Sequence, residues 1–147
     1  MIGQNVFISS NCIIGNNVKI QNNVSVYDSV FIEDNVFCGP SCVFTNVKNP
    51  RSYIERKKEF LKTIVKKGVS IGANSTIICG ITLGEYSLIG AGSTVTKNVK
   101  SHALVYGVPA KFKGWVSHAG EVLSKDLVCP REKTKYLLVG SNLKIKD

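Results

Sequence analysis

An aliphatic residue returns at every sixth position along most of this chain, and this period constrains the possible folds strongly. The series runs through Ile2, Ile8, Ile14, Ile20, Val26, Ile32, Cys38 and Phe44, and then through Val65, Ile71, Ile77, Leu83, Ile89 and Val95. A helix would show a period of about 3.6 residues, and a half-buried strand a period of about two. A six-residue repeat with Gly or Asn between the apolar positions is typical of a parallel β-helix.

Three such units are enough to close one triangular coil of about 18 residues, with a short strand on each side. The aliphatic side chains point into the prism, and stacked coils bury them in one continuous column. Gly and Asn stand where the chain turns sharply, because they tolerate left-handed backbone angles. The sequence therefore predicts an all-β fold, a single-stranded parallel β-helix with triangular coils.

The period breaks once, because 21 residues separate Phe44 from Val65 and 21 is not a multiple of six. The intervening segment must therefore leave the coil as one long excursion loop. We predict a single domain in four parts. Residues 1–45 form a first β-helix block, 46–64 the excursion, 65–100 a second block, and 101–147 a C-terminal cap and tail.

The excursion and the C-terminal part carry weaker signals. Residues 52–62 have helix-forming composition, with Tyr53, Phe60 and Leu61 as candidate anchors. Residues 115–123 are predicted to form a short helix that covers the open end of the prism. Residues 136–139 are apolar and are interpreted as a strand or a docked arm. Long excursions from a rigid scaffold are frequent places for function.

The net charge of +9 is concentrated around the excursion. Between Val47 and Gly68 there are eight Lys and Arg residues against two Glu, a local balance of +6. This surface is either a solvated face or an attractive site for a polyanion such as a nucleotide, a uronate or coenzyme A phosphates. The motifs of nucleic-acid binding are absent. No apolar run is long enough to span a membrane, and a cytoplasmic protein is expected.

The five cysteines do not indicate a metal site or a disulfide framework. Cys12, Cys38 and Cys42 occupy inward positions of the repeat, where thiols act as small apolar side chains. Cys38 and Cys42 lack zinc spacing, and no second pair of ligands exists.

Eight short blocks are more specific than the six-residue period. They are 21–27 (QNNVSVY), 37–40 (FCGP), 44–47 (FTNV), 49–52 (NPRS), 54–57 (IERK), 65–68 (VKKG), 107–110 (GVPA) and 114–115 (GW). Together they resemble a family of bacterial nucleotide-sugar N-acetyltransferases. The most similar members acetylate the 3-amino group of UDP-2-acetamido-3-amino-2,3-dideoxy-D-glucuronate, a precursor of lipopolysaccharide O-antigen sugars. The resemblance covers residues 2–136.

The resemblance implies a left-handed helix, a homotrimer with active sites between subunits, and acetyl-CoA as cosubstrate. It also implies that acetyl-CoA lies along the second block. The residues implied to bind it are Gly72, Gly90, Ala91, Ser93, Val108, Pro109, Ala110, Lys111 and Lys113. Small residues suit a close approach to backbone amides, although ordinary turn glycines are the alternative. Family members usually begin about two coils earlier, so the chain is expected to be either truncated or a short variant.

The acceptor side is implied by matching positions around the excursion. Asn46 is the candidate catalytic residue, because its amide can accept from the acceptor amine or donate to the sugar. Arg56 is a candidate partner for a uronate carboxylate or a phosphate, since a guanidinium pairs bidentately with both. The nucleotide sugar is also expected to contact Gln21, Asn22, Asn23 and Tyr27. A turn role is the alternative for Asn22, Asn23 and Asn46, and a surface charge for Arg56.

The excursion contains no histidine, and this favours an amine as acceptor. His102 and His118 both follow the repeat, and His102 is interpreted as structural or solvent-facing. A sugar hydroxyl is not ionised at neutral pH and needs a base. An amine with a pKa near 8 is already roughly one-tenth neutral at pH 7. Direct attack of the amine on the thioester, helped mainly by alignment, therefore needs no base.

Three other functions were weighed against this one. A γ-type carbonic anhydrase would need three histidines between subunits, and the two present at the chain end do not provide them. A noncatalytic β-helix assembly subunit stays possible because of the missing coils. An acetyltransferase for another nucleotide-linked amino sugar, such as a 4-amino sugar, is the third alternative.

Overall fold

The computed structural model describes residues 1–147 and contains three parallel sheets that form the sides of a prism. Side A consists of β1 (Phe7–Ile8), β4 (Ser25–Val26), β7 (Val43–Phe44), β10 (Thr76–Ile77) and β13 (Thr94–Val95). Side B consists of β2 (Ile13–Ile14), β5 (Val30–Ile32), β8 (Thr63–Val65) and β11 (Thr82–Leu83). Side C consists of β3 (Lys19–Ile20), β6 (Phe37–Cys38), β9 (Ser70–Ile71), β12 (Leu88–Ile89) and β14 (Ala103–Gly107), and β15 (Ala110–Trp115) is added at its end.

The strand register confirms the predicted coil. Phe7 pairs with Ser25 on side A, and Lys19 pairs with Phe37 on side C, each 18 positions further along the chain. One turn of the chain therefore visits the three sides once before it stacks on itself. The parallel β-helix is confirmed, and its handedness stays a prediction.

The periodic aliphatic residues form the core, as the period predicts. Val26, Ile71, Ile77 and Ile89 have no exposed surface, and they belong to one cluster of 21 buried residues that follows the prism axis. Burying such a side chain fully contributes about 1.5–3 kcal/mol. The stacked core, more than any single contact, therefore holds the coils together.

The corners explain why Asn and Gly recur. At the corner between sides B and C, the third residue of successive turns has positive φ: Asn17, Asn35, Gly68, Tyr86 and His102. Asn and Gly adopt this conformation at low cost, whereas bulky residues rarely do. The first two also stack, since Asn17 Nδ2 donates to Asn35 Oδ1 at 2.7 Å.

The excursion leaves after β7 and returns at β8, but its predicted helix is wrong. Only Lys57–Glu59 form a single 3-10 turn, and none of these residues is buried. Tyr53 is 84% exposed and is therefore not an anchor. A segment this short is a marginal helix unless an apolar face packs against the protein.

The predicted helix at 115–123 is also wrong. An isolated antiparallel bridge joins Val116 to Val122 there. Before it, the chain turns back at Val108–Pro109, and β15 pairs antiparallel with β14. This pairing satisfies backbone groups that the end of side C would otherwise leave open. The apolar segment at 136–139 is confirmed as a strand, β16 (Tyr136–Val139), which forms a hairpin with β17 (Asn142–Ile145).

All five cysteines are free thiols, as the sequence predicts. Cys38 and Cys42 are buried in the core, and Cys12 is half-buried. Cys79 and Cys129 do not follow the six-residue period, yet they are buried as well. No helix is long and apolar enough to cross a membrane.

Candidate functional site

The 18-residue register sorts the predicted site residues into columns along the corners of the prism. The corner between sides C and A, the CA corner, carries the turns at 3–5, 21–23, 39–41, 72–74 and 90–92. The corner between sides A and B, the AB corner, carries the turns at 9–11, 27–29, 78–80 and 96–98 together with the excursion. Side A separates these two columns.

Three of the nine residues expected to bind acetyl-CoA lie in turns of the CA corner. Gly72, Gly90 and Ala91 occupy consecutive turns there, and Val108–Ala110 follow at the C-terminal end. A Cβ atom on Gly72 would lie 2.5 Å from the backbone nitrogen of Ala91 in the next coil. One on Gly90 would lie 2.6 Å from the Cβ of Tyr106. Coil stacking alone is therefore enough to require glycine at both positions. Their role in binding acetyl-CoA stays a prediction.

The side chain of Ser93 makes hydrogen bonds within the fold. Its side chain is buried, and its hydroxyl donates to the carbonyl of Gly90 at 2.5 Å. The same hydroxyl accepts from the backbone N–H of Gly107 at 3.3 Å. These contacts fasten β14 to the preceding coil, and a role of Ser93 in binding acetyl-CoA stays a prediction.

Gln21, Asn22 and Asn23 form the CA corner of the first block. The side-chain oxygen of Asn22 accepts from the backbone N–H of Gln4 at 2.9 Å, and that of Asn23 accepts from Asn5 Nδ2 at 3.3 Å. Asn23 also has positive φ. These contacts support the turn interpretation for Asn22 and Asn23.

Tyr27 and Asn46 lie on the AB corner, where the excursion begins. Tyr27 is 40% exposed, and its ring centroid lies 5.5 Å from that of Phe7. The carbonyl of Asn46 accepts from the N–H of Leu61 at 2.9 Å and closes the base of the excursion. Thr45 Oγ1 accepts from the N–H of Cys79 at 2.9 Å and fixes the excursion to the next coil.

The excursion carries an open cavity of about 440 Å³ between residues 47 and 60. Arg51, Arg56 and Lys57 line it, together with the apolar side chains of Val47, Pro50 and Phe60. Arg56 Nη1 lies 2.7 Å from Glu59 Oε2, while its Nε is buried without a hydrogen-bond partner. A buried N–H without a partner is costly.

A second cavity, of about 510 Å³, lies at the C-terminal end of the prism. We call it the end cavity, and its walls are the last coil, β15 and the tip of the β16–β17 hairpin. Pro109, Ala110 and Lys111 belong to its lining, and Trp115 and Val99 contribute apolar surface. Lys97 and Lys100 also line it, but no carboxylate does.

Lys113 lies away from the end cavity. Its Nζ is 5.0 Å from the centroid of the Tyr106 ring, a cation–π geometry. Of the two lysines predicted to bind acetyl-CoA, only Lys111 therefore lines a cavity.

His102 is held inside the C-terminal cap, which agrees with a structural role. Its Nδ1 lies 2.9 Å from the carbonyl of Val116, and since a carbonyl only accepts, Nδ1 carries the proton. Burial lowers the pKa of His102, and the neighbouring His118 lowers it further. The two imidazole centroids are 4.9 Å apart, and neither side chain lines the excursion cavity.

Comparisons with known proteins point in one direction. A family described as bacterial transferase hexapeptide (six repeats) matches residues 62–97, and one described as the hexapeptide repeat of succinyl-transferase matches residues 1–28. Over 59 residues the chain is 56% identical to dTDP-3-amino-3,6-dideoxy-alpha-D-galactopyranose 3-N-acetyltransferase of Aneurinibacillus thermoaerophilus. The match covers 40% of this chain and 31% of that protein, so it spans about a third of the relative.

Solved structures extend the likeness to most of the chain. A hexapeptide-repeat acetyltransferase of Vibrio cholerae O1 biovar eltor, complexed with acetyl coenzyme A, aligns with a TM-score of 0.66 and 26% identity over 79% of this chain and 70% of that one. A galactoside acetyltransferase in complex with coenzyme A aligns with a TM-score of 0.68 and 29% identity over 81% of this chain and 63% of that one. No group of three His, Cys, Asp or Glu side chains is arranged to hold a metal ion. In fold and in repeat sequence, this chain is similar to hexapeptide-repeat acetyltransferases, including a nucleotide-sugar N-acetyltransferase.

Proposed function

We propose that this protein transfers an acetyl group from acetyl-CoA to the 3-amino group of a UDP-linked amino-uronic acid used for surface polysaccharide. The 56% identity to a nucleotide-sugar 3-N-acetyltransferase carries the N-acetyl and nucleotide-sugar parts of this proposal. The uronate and the O-antigen role rest on the sequence blocks around the excursion and on Arg56.

The CA corner and the end cavity together suit acetyl-CoA. In this proposal the pantetheine arm lies along the turns at Gly72 and Gly90, whose small residues suit a close approach to backbone amides. Lys97, Lys100 and Lys111 supply only positive charge to the end cavity, which suits the phosphates at the nucleotide end. The same pocket offers apolar surface for the adenine.

The separation of the two corners supports a trimer with active sites between subunits. Gly72, Gly90 and Ala91 lie on the CA corner, whereas Asn46 and Arg56 belong to the AB corner. Of the end-cavity lysines, Lys97 lies in the AB turn at 96–98. One prism therefore presents the two halves of the site on opposite edges of side A. Parallel packing of prisms around a threefold axis brings the CA corner of one copy next to the AB corner of another, and each interface then holds one complete site.

The acceptor is held at the excursion in this proposal. The guanidinium of Arg56 binds the uronate carboxylate, and the side-chain amide of Asn46 orients the amine. The neutral amine nitrogen attacks the thioester carbonyl carbon, the C–N bond forms and the C–S bond breaks. The thiolate takes a proton from the nitrogen, and the products are the acetamido sugar and CoA thiol. Alignment of the two substrates supplies most of the acceleration.

A second acceptor is favoured by one observation. The curated relative is named for a dTDP-linked 3-amino-3,6-dideoxygalactose, which has a methyl group where a uronate has a carboxylate. With such a substrate, Arg56 would bind the diphosphate instead. The two acceptors differ in nucleotide and in charge, so activity assays with UDP- and dTDP-linked amino sugars distinguish them.

The test is release of CoA thiol from acetyl-CoA across UDP- and dTDP-linked amino sugars. The UDP-amino-uronate is expected to give the highest kcat/KM, and the dTDP-amino sugar a lower one. A higher kcat/KM for the dTDP-amino sugar than for the UDP-amino-uronate would make the dTDP-amino sugar the preferred acceptor. If no amino sugar in the panel increases thiol release, the N-acetyltransferase proposal is wrong and a noncatalytic assembly role takes its place.

A further inference from the structure

Asp28 lies at the base of the excursion, between the point where the chain leaves the prism and the point where it returns. The pairing of Ser25 with Val43 places Asp28 in register with Asn46, one coil away. On the returning side, the N–H of Thr63 donates to the carbonyl of Ser29 at 2.9 Å. Asp28 therefore lies in the turn directly beneath the excursion, and its half-buried side chain reaches Ser9 of the preceding coil.

The charges around this position make Asp28 stand out. It is the only carboxylate in the three-residue turns of the AB corner, at 9–11, 27–29, 78–80 and 96–98. The acidic side chains of the excursion are already engaged, since Glu59 pairs with Arg56 and Glu55 accepts from the N–H of Lys57. Asp28 Oδ1 accepts from the Ser9 hydroxyl, and this leaves its second oxygen for another donor.

An amino-sugar nucleotide presents two opposite charges to this surface. Its phosphates are attracted by the basic excursion, but its amine, with a pKa near 8, is mostly an ammonium at pH 7. The same basic residues repel that ammonium. A carboxylate at the mouth offsets the repulsion, because a charge-assisted hydrogen bond from ammonium to carboxylate is about twice as strong as a neutral one.

We propose that Asp28 binds the ammonium of the acceptor and thereby selects an amine over a hydroxyl at the same sugar position. This inference rests on the proposed function and adds the residue that recognises the acceptor group. Before attack, the ammonium releases one proton to solvent, and Asp28 takes no part in the proton transfer. The second proton leaves the nitrogen with the C–S bond cleavage and ends on the CoA thiol. One proton is thus released per acetyl group transferred.

The test compares Asp28→Asn with Ser9→Ala in the full chain. Asn accepts the same hydrogen bond from Ser9 but carries no charge, whereas Ser9→Ala removes the hydrogen bond and keeps the charge. We measure kcat and KM from pH 6 to 9 with UDP-2-acetamido-3-amino-2,3-dideoxy-glucuronate and with the dTDP-amino sugar. The matching 3-hydroxy nucleotide sugars serve as competitive inhibitors. Thermal denaturation of each variant checks folding.

For Asp28→Asn we expect KM for the amine to rise on the order of tenfold, with the Ki of the hydroxyl analogue nearly unchanged. The acidic limb of the kcat profile should move to lower pH, since a nearby carboxylate raises the pKa of the bound amine. Ser9→Ala should keep the wild-type preference for amine. The inference would be overturned if the ratio of KM for the amine to Ki for the hydroxyl analogue were the same in wild type and Asp28→Asn. It would also be overturned if Asp28→Asn and Ser9→Ala raised KM for the amine equally. If the wild type acetylates none of these amines, the proposed function itself fails.

Discussion

The CA corner and the AB corner are built from the same repeat, yet they differ in what the fold demands of them. On the CA corner, successive turns stack so closely that Gly72 and Gly90 have no room for a Cβ atom. On the AB corner, the turn after β7 is replaced by an excursion in which Lys57–Glu59 are exposed and Arg56 Nε lacks a partner. The first corner is therefore constrained by stacking, while the second is free to carry chemistry.

The largest expected effect concerns folding at the CA corner. Gly72→Ala places a Cβ atom 2.5 Å from the Ala91 backbone nitrogen, and the coil must open to admit it. We expect a loss of about 1–3 kcal/mol in the free energy of unfolding, measured by urea denaturation. Ala73→Ser on the same turn is the control and should change stability little. Wild-type stability in Gly72→Ala would show that stacking does not require this glycine.

On the AB corner we expect the opposite pattern, with activity lost and folding kept. Arg56→Ala and Asn46→Ala should each lower kcat/KM at least about tenfold, the loss typical of one hydrogen bond to a charged group. Glu59→Gln is the matched control for Arg56, because it removes the ion-pair partner and keeps the guanidinium. Sedimentation should show an unchanged assembly. Wild-type rates in both alanine variants would remove these residues from the site.

The end cavity gives a smaller contrast between two neighbouring lysines. Lys111 lines this cavity, whereas Lys113 lies over the Tyr106 ring. Lys111→Ala should raise KM for acetyl-CoA about fivefold. Lys113→Ala should raise it only about twofold, because Lys113 lies outside the cavity and acts on the phosphates only over a longer, screened distance. The difference should shrink at high salt. Equal changes would mean that the end cavity does not receive the CoA phosphates.

The smallest expected effect on activity concerns His102, which belongs to neither candidate corner. Burial lowers the pKa of His102, and His118 adds to this, while the contact with Val116 and the charge of Glu85 oppose it. Because the unfolded chain binds this proton more readily, the associated stability is present above the ordinary pKa of about 6.5 and is lost as pH falls through the lowered value. His102→Asn should keep kcat within about twofold and flatten the decline of Tm between pH 7 and 5. A collapse of turnover with intact folding would show that a base is needed.

Much of the fold could be predicted because the signal is local and repeated. The inward positions of Val26, Ile71 and Ile89 follow directly from the six-residue period, and their burial is complete. The two predicted helices were wrong because their signals were compositional. In the excursion Lys57–Glu59 bury no side chain, and after Trp115 an isolated antiparallel bridge joins Val116 to Val122 where the helix was predicted.

The candidate site was predictable in part. Asn46 and Arg56 lie on one corner, as their common loop implies, but the sequence analysis missed Asp28, Lys97 and Lys100. For Asp28 a signal existed, since it stands one coil of 18 residues before Asn46. For the two lysines there was none, because the end cavity forms only when the β16–β17 hairpin folds back onto the last coil.

By itself, the sequence determined the stacked triangular coils, the single excursion and the inward set of side chains. These follow from burial of apolar groups at a fixed period, which is a property of neighbouring residues. Only the tertiary structure decided which turns share a corner, that Gly72 meets Ala91, and that Arg56 keeps an unpaired N–H. Those features depend on contacts between residues far apart in the chain, and no local pattern encodes their distances.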